Sequence, residues 1–303
     1  MRLTTTASSA ILFAGMLSLP ATAAAAVMNV SCPGQKLQDA VNLAQEGDTI
    51  FVHGTCTENI TIGWDKLNLT LDGQGSGGIG APNQNLPAII VLARQAIIRG
   101  LTITGGLDGI QVVRGTSAII NGNTIDGAAR YGIVLTQNAN GFIVNNQIRN
   151  CPAVGLVVAD SSYASIGILA TTDTVAQPND IHGNGVGILV GRASARIVGN
   201  QVSNNATDGI QVSKNGQADI ADNQIDGNGA NGIWVGKNSG ADLGYFTGSS
   251  PLDLPNYSVA PNGGMGVLCT TGGYVGGQLG TLAGSDKKKP ASFSKDCVDA
   301  LSR

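Results

Sequence analysis

Apolar residues recur along this chain in short clusters rather than in helical stripes. Gly followed by Ile or Leu and further apolar residues occurs at Gly109-Ile110, Gly132-Ile133, Gly155-Leu156, Gly187-Ile188, Gly209-Ile210 and Gly232-Ile233, at spacings of 23, 23, 32, 22 and 23 residues. A second mark, Asn followed shortly by Ile or Val, keeps the same period at Asn123/Ile125, Asn146/Ile148, Asn179/Ile181, Asn200/Val202 and Asn223/Ile225. Between them lies a third cluster, as in Ala118 to Ile120, Phe142 to Val144, Ala195 to Val198 and Ala218 to Ile220. Three short segments separated by Gly/Asn turns every 22 or 23 residues form too small a unit for helix hairpins or propeller blades. They predict coils of a parallel β-helix, stacked about 4.8 Å apart around inward rows of Ile and Val. The strong preference for right-handed parallel crossovers sets the hand. The turns explain Gly and Asn through positive φ, and stacked Asn side chains are expected to bond along the axis.

The ends depart from the repeat. Between Pro33 and Ala44, Leu37, Ala40, Val41 and Ala44 follow helical spacing and predict a short amphipathic helix capping the first coil. The stretch from Gly263 onward loses the period and reads as a disulfide-tied cap. The expected organisation is a signal peptide at 1–26, a β-helix with its N-terminal cap at 27–268, and a C-terminal cap at 269–303.

Composition agrees with a strand-built core. The chain has 44 Gly in 303 residues and only 12% charged residues, which argues against coiled coils and helix bundles. Its 42% hydrophobic content with 4% aromatics points to a core of Val, Ile, Leu and Ala. A net charge of −3 without a block of like charges removes the usual electrostatic reason for binding nucleic acid. Arg2, the apolar run Ala10 to Leu19, Pro20 and Ala21-Thr22-Ala23 have the order of a cleavable export signal, leaving a mature chain from Ala24 or Val27 with no membrane span. In an oxidising compartment the five cysteines are disulfide candidates first. Cys32 and Cys56 flank the first elements and Cys269 and Cys297 the last, which suggests one staple at each end and Cys151 left over.

Gln38-Asp39-Ala40-Val41, Ala44, Gly47-Asp48-Thr49-Ile50-Phe51-Val52 and Glu58-Asn59-Ile60, with the repeats that follow, resemble bacterial exported right-handed β-helix proteins of the pectin-lyase-like superfamily. The resemblance covers roughly Cys32 to Leu268. It implies the fold, and implies an activity only as broadly as a group of polysaccharide lyases, epimerases, glycoside hydrolases and adhesins allows. Calcium enters by this analogy alone. No compact Asp cluster like the calcium site of pectate lyases is evident, nor any metal or cofactor motif.

Chemistry is sought in the rows that the period stacks. Five residues beyond each repeated Gly stand Arg114, Gln137, Asp160, Arg192, Lys214 and Lys237, a largely cationic row roughly 24 Å long at about 4.8 Å per coil. Two residues beyond the Gly stand Gln111, Val134, Val157, Leu189, Gln211 and Trp234, so Trp234 would offer a sugar platform beside Lys214 and Lys237. Arg114, Arg192, Lys214, Trp234 and Lys237 are the candidate binding residues for an extended, acidic polysaccharide or cell-surface glycan; the bland reading is a solvated turn row with an incidental Trp, since edge Lys and Arg commonly protect solenoid surfaces. A third row brings Asp126, Arg149 and His182 onto successive coils. They are the candidate catalytic residues of an alternative in which the protein is a polyuronate lyase or epimerase, with His182 as base and Arg149 as carboxylate holder. The bland reading of that row is an Asp126–Arg149 ion pair and a surface histidine. A non-catalytic structural or adhesive solenoid is the remaining alternative. Two long coils, from Ala164 to Asn179 and from Ala241 to Asn256, share offsets at a shift of 77. Their insertions are expected to project from one side, walling a cleft or covering Val134, Val157 and Leu189.

Overall fold

A computed structural model describes residues 24–170, 172–244, 251–285 and Cys297. Most of the expected signal peptide, 1–23, and most of the expected C-terminal cap, 286–296 and 298–303, lie outside the described residues.

Three parallel ladders wrap one core. Among the described residues the Gly-Ile ladder has nine strands, from Ile60–Ile62 through Asp108–Val112, Tyr131–Leu135 and Val154–Ala159 to Val267–Cys269. The middle ladder starts at Val27–Ser31 and climbs through Ser117–Asn121, Asn140–Val144, Ser194–Val198 and Gln217–Ala221 to Tyr274–Gly277. The Asn-Ile ladder carries Thr124–Asp126, Gln147–Arg149, Asp180–His182, Gln201–Ser203 and Gln224–Asp226. In the early coils Thr70–Ala81 and Ala96–Gly105 run through both of these last two ladders. Alternation sends every second side chain inward, so Ile133 and Leu156, Ile120 and Ile143, and Ile125 and Ile148 stack without solvent exposure.

The Gly of each Gly-Ile pair has a different cause from the expected one. Gly109, Gly132, Gly155, Gly187, Gly209 and Gly232 do not have positive φ. Each is wedged where one coil passes close to the next. A Cβ on Gly132 would lie 2.5 Å from the Gly155 carbonyl oxygen and 2.5 Å from Cγ2 of Ile148. The recurrent Asn does form side-chain ladders. At the corner between the middle and Asn-Ile ladders, Asn123, Asn146, Asn179, Asn200, Asn223 and Asn256 stack, each side-chain oxygen from Asn146 onward accepting from the backbone N–H and amide of the Asn below it. A second ladder at the next corner runs through Asn184, Asn205, Asn228 and Asn262. Cys151 occupies the foot of that column, its backbone N–H donating to Asn184 at 3.0 Å. Burial pushes its thiol up to about 11, so it stays protonated at neutral pH.

The N-terminal helix α1, Leu37–Leu43, buries Leu37 and Val41 over the first coil. The first coil also holds both helix ends. Glu58 accepts from the backbone N–H groups of Leu37 and Gln38, and the buried Lys66 ammonium donates to the carbonyls of Asn42 and Ala44 at 2.8 and 2.9 Å. Lys66→Met would leave those carbonyls without their charged donor. The expected cost is about 2 kcal/mol, read as a lower denaturant midpoint with unchanged m. The staples join Cys32 to Cys56 and Cys269 to Cys297, and Cys151 is free, as the spacing suggested.

The insertions emerge together but do not cover Val134, Val157 and Leu189. Both leave the end of the middle ladder, at the corner opposite the Gly-Ile face. There Ile168 of the first and Leu252 of the second close over Val198 and Ala221, with Ala176 against them. Val134 and Val157 instead shield each other with Val154, Tyr131 and Leu189 in an outward apolar cluster.

Candidate functional site

The corner between the Gly-Ile and middle ladders is turned by residues with left-handed backbone. Arg114, Gln137, Asp160, Arg192, Lys214 and Lys237 have φ of 60, 58, 50, 54, 57 and 56°. This conformation costs a residue with a Cβ about 1 kcal/mol or more. Backbone bonds stack the turns, with Asn138 donating to Asp160 at 2.9 Å, Ser161 to Arg192 at 2.7 Å and Asn215 to Lys237 at 3.1 Å. The four cations project as exposed side chains in one row.

Their electrostatics differ. Arg192 contacts Asp160 at 2.6 Å, and Thr136 donates to the same carboxylate at 2.9 Å. Arg192 first, and then Thr136, hold Asp160 below the usual carboxylate range. Lys237 sits 5.9 Å over the ring of outward-facing Trp234. Arg114 and Lys214 make no ion pair among the described residues.

Two further members of this corner escape the period. Trp64 is 81% exposed and, with Arg94 and Arg114, lines a recess of about 320 Å³. Both tryptophans of the chain therefore lie along the same corner, near opposite ends of the cationic row. Asn59-Ile60 and Ala88-Ile89 stand where later coils have Gly-Ile, so the mark that locates the row is missing beside Trp64 and Arg94.

A second charged group lies on the outer middle ladder. Arg196, Asp219 and Asp242 are in register on three coils, and Asp253 from the second insertion reaches Arg196 at 3.1 Å. Burial, and next Asp242, push the Asp219 carboxyl up. The interval from Asp219 to Asp242 is one repeat, the signal by which sequence reading would have paired them.

Asp126, Arg149 and His182 stack as expected on the Asn-Ile ladder. Arg149 is paired with Asp126 at 3.0 Å, Asn150 also donates to Asp126 at 2.7 Å, and His182 lies 3.7 Å from Asp180. This ladder is the side opposite the cationic corner, so the row and the five candidate binding residues do not share a groove. Near the N-terminal staple, Cys32, Cys56 and Glu58 lie close together. The two thiols are consumed by the disulfide and Glu58 by helix α1, so they do not make a metal site. No described helix is long and apolar enough to cross a membrane.

A nine-coil parallel solenoid with a charged, aromatic-bearing corner defines the class of protein. The sequence matches the family described as right handed beta helix region over residues 87–244, and the chain belongs to that family. It is similar to the enzymatically active domain of tailspike protein 2 of bacteriophage CBA120, with a TM-score of 0.57 and 13% identity, over 80% of this chain and 40% of that one. The periplasmic alginate epimerase AlgG overlaps with a TM-score of 0.45 and 16% identity, over 82% of this chain and 62% of the epimerase. A cell surface glycoprotein of Methanothermus fervidus is 34% identical over 104 residues, 33% of this chain and 17% of the glycoprotein. The chain thus matches only a small part of that relative.

Proposed function

We propose that this protein is exported and recognises an extended, acidic polysaccharide along the corner formed by Arg114, Arg192, Lys214, Trp234 and Lys237. The observation that carries this reading is the stacked cationic row itself. In a chain with few charges, side chains with a Cβ occupy left-handed turn positions on six successive coils, and four of the six are cations. Tryptophans at both ends add platforms for sugar rings. Two disulfides and a cell surface relative support export.

Titration of the purified protein with polygalacturonate tests the row. Lys214→Glu combined with Lys237→Glu is expected to weaken binding about tenfold, since each exposed contact is worth under about 1 kcal/mol and reversal adds repulsion. Unchanged affinity in the folded double variant overturns the row as the site. Asp160→Asn should act oppositely by releasing Arg192, tightening binding about threefold.

The pH dependence has a definite sign. The folded Asp160 carboxyl titrates below its unfolded value of 3.8, so its pairing is fully present above that value. The small, solvent-screened contribution of the pair to stability is lost as pH falls through the lowered folded value. Arg192 is freed in the same window.

A further inference from the structure

A cleft of about 330 Å³ opens on the outer middle ladder, just past the turns that carry Arg94 and Arg114. Its floor is Ile97, Ile119 and Phe142, stacked in register on three coils, with Phe142 39% exposed. Its rim is Asn68, Gln95, Ser117 and Asn140. Among the described residues, the Gln95 and Asn140 side-chain amides make no hydrogen bond, and Asn68 makes one long contact to Glu46 at 3.5 Å. Ser117 Oγ accepts from the Gln95 backbone N–H at 2.9 Å and retains its own proton to donate. An aromatic floor with unspent amides and a hydroxyl at its edge, and no charged side chain in its lining, matches the apolar face and hydroxyl rim of an uncharged pyranose. A carboxylate seated there would find no cation.

A second recess, also of about 330 Å³, joins this cleft to the corner. It shares Asn68, Gln95 and Ser117 with the cleft and Arg94 with the Trp64 recess. Glu46 lies in its wall, a carboxylate that offers acceptors to hydroxyls and disfavours anions.

We infer that the Phe142 cleft is a subsite for a neutral sugar residue, continuous with the Trp64, Arg94 and Arg114 recess. The ligand class is then a heteropolysaccharide with both uncharged and anionic residues, crossing the corner near the N-terminal end as well as following it. This rests on the polysaccharide reading above and specifies its substrate class.

The test compares hyaluronan, which alternates neutral and acidic sugars, with polygalacturonate, which is acidic throughout. Phe142→Ala and, independently, Asn140→Ala are expected to weaken hyaluronan binding about fivefold and leave polygalacturonate within twofold. Both positions are exposed, and a thermal midpoint matching the parent verifies each variant's fold. If neither variant changes hyaluronan binding, or both weaken the two polymers equally, the neutral subsite is overturned and the cationic corner stands. If the parent protein binds polygalacturonate but not hyaluronan, the heteropolymer assignment alone fails. Binding of neither polymer overturns both readings.

Discussion

Gly132→Ala is expected to lower the thermal midpoint by roughly 6–12 °C, the equivalent of about 3 kcal/mol at 2–4 °C per kcal/mol. The added methyl meets the Gly155 carbonyl oxygen and Ile148 Cγ2 at 2.5 Å, and Cys151 Sγ at 3.3 Å. The carbonyl is backbone of the adjacent coil, so relief requires prising two coils apart. That breaks parallel ladder bonds and opens the Ile column. Gly191→Ala, on the same ladder, is the control: its Cβ would meet nothing closer than 3.8 Å and its φ is not positive. A midpoint within 2 °C of the parent is expected for it. Differential scanning calorimetry checks both, and equal effects would mean that close approach is not why Gly recurs.

Asn200→Ala is expected to cost about 3–4 kcal/mol. Asn200 Oδ1 accepts from the backbone N–H and the side-chain amide of Asn179, at 3.0 and 2.8 Å. Its own amide donates to the carbonyls of Ile166 and Val198 and to Asn223 Oδ1, each at 3.0 Å. These atoms lie in a dry corner, where Asn179 and Asn200 are 0% and 1% exposed, so water does not replace the lost partners. Urea unfolding checks the value. A loss below 1 kcal/mol would show that the ladder decorates the corner rather than holding it.

The fold was legible because a solenoid demands the same residue type at the same place in every coil. Gly132 and Gly155 must both be small for one reason, and Asn200 and Asn223 must both be amides for another, so the constraints surface as a period. Their causes are only half legible: the turns suggest positive φ for Gly, whereas close approach between coils, a three-dimensional fact, is what requires it. The row from Arg114 to Lys237 could be counted out because it keeps a fixed offset from the Gly mark. Trp64 and Arg94 could not, because their coils begin with Asn59-Ile60 and Ala88-Ile89. Asp253 was hidden for a related reason, since it reaches Arg196 from an insertion whose path obeys no period. The insertions' target was misplaced because sequence locates where they leave the coil but not the corner over which Ile168 and Leu252 fold. The row of Asp126, Arg149 and His182 was found at the correct register, but the side of the solenoid it occupies, opposite the cationic corner, follows only from the closed shape.

The proposed ligand of the cationic, tryptophan-flanked corner is an acidic glycan. Binding of the purified protein to matched acidic and neutral polysaccharides, each titrated at low and at high salt, tests it most directly. Binding to acidic polymers is expected to weaken steeply as salt screens the row, with weaker and salt-insensitive binding to neutral homopolymers. Binding to none of the polymers, or equal, salt-independent binding to acidic and neutral ones, would contradict it.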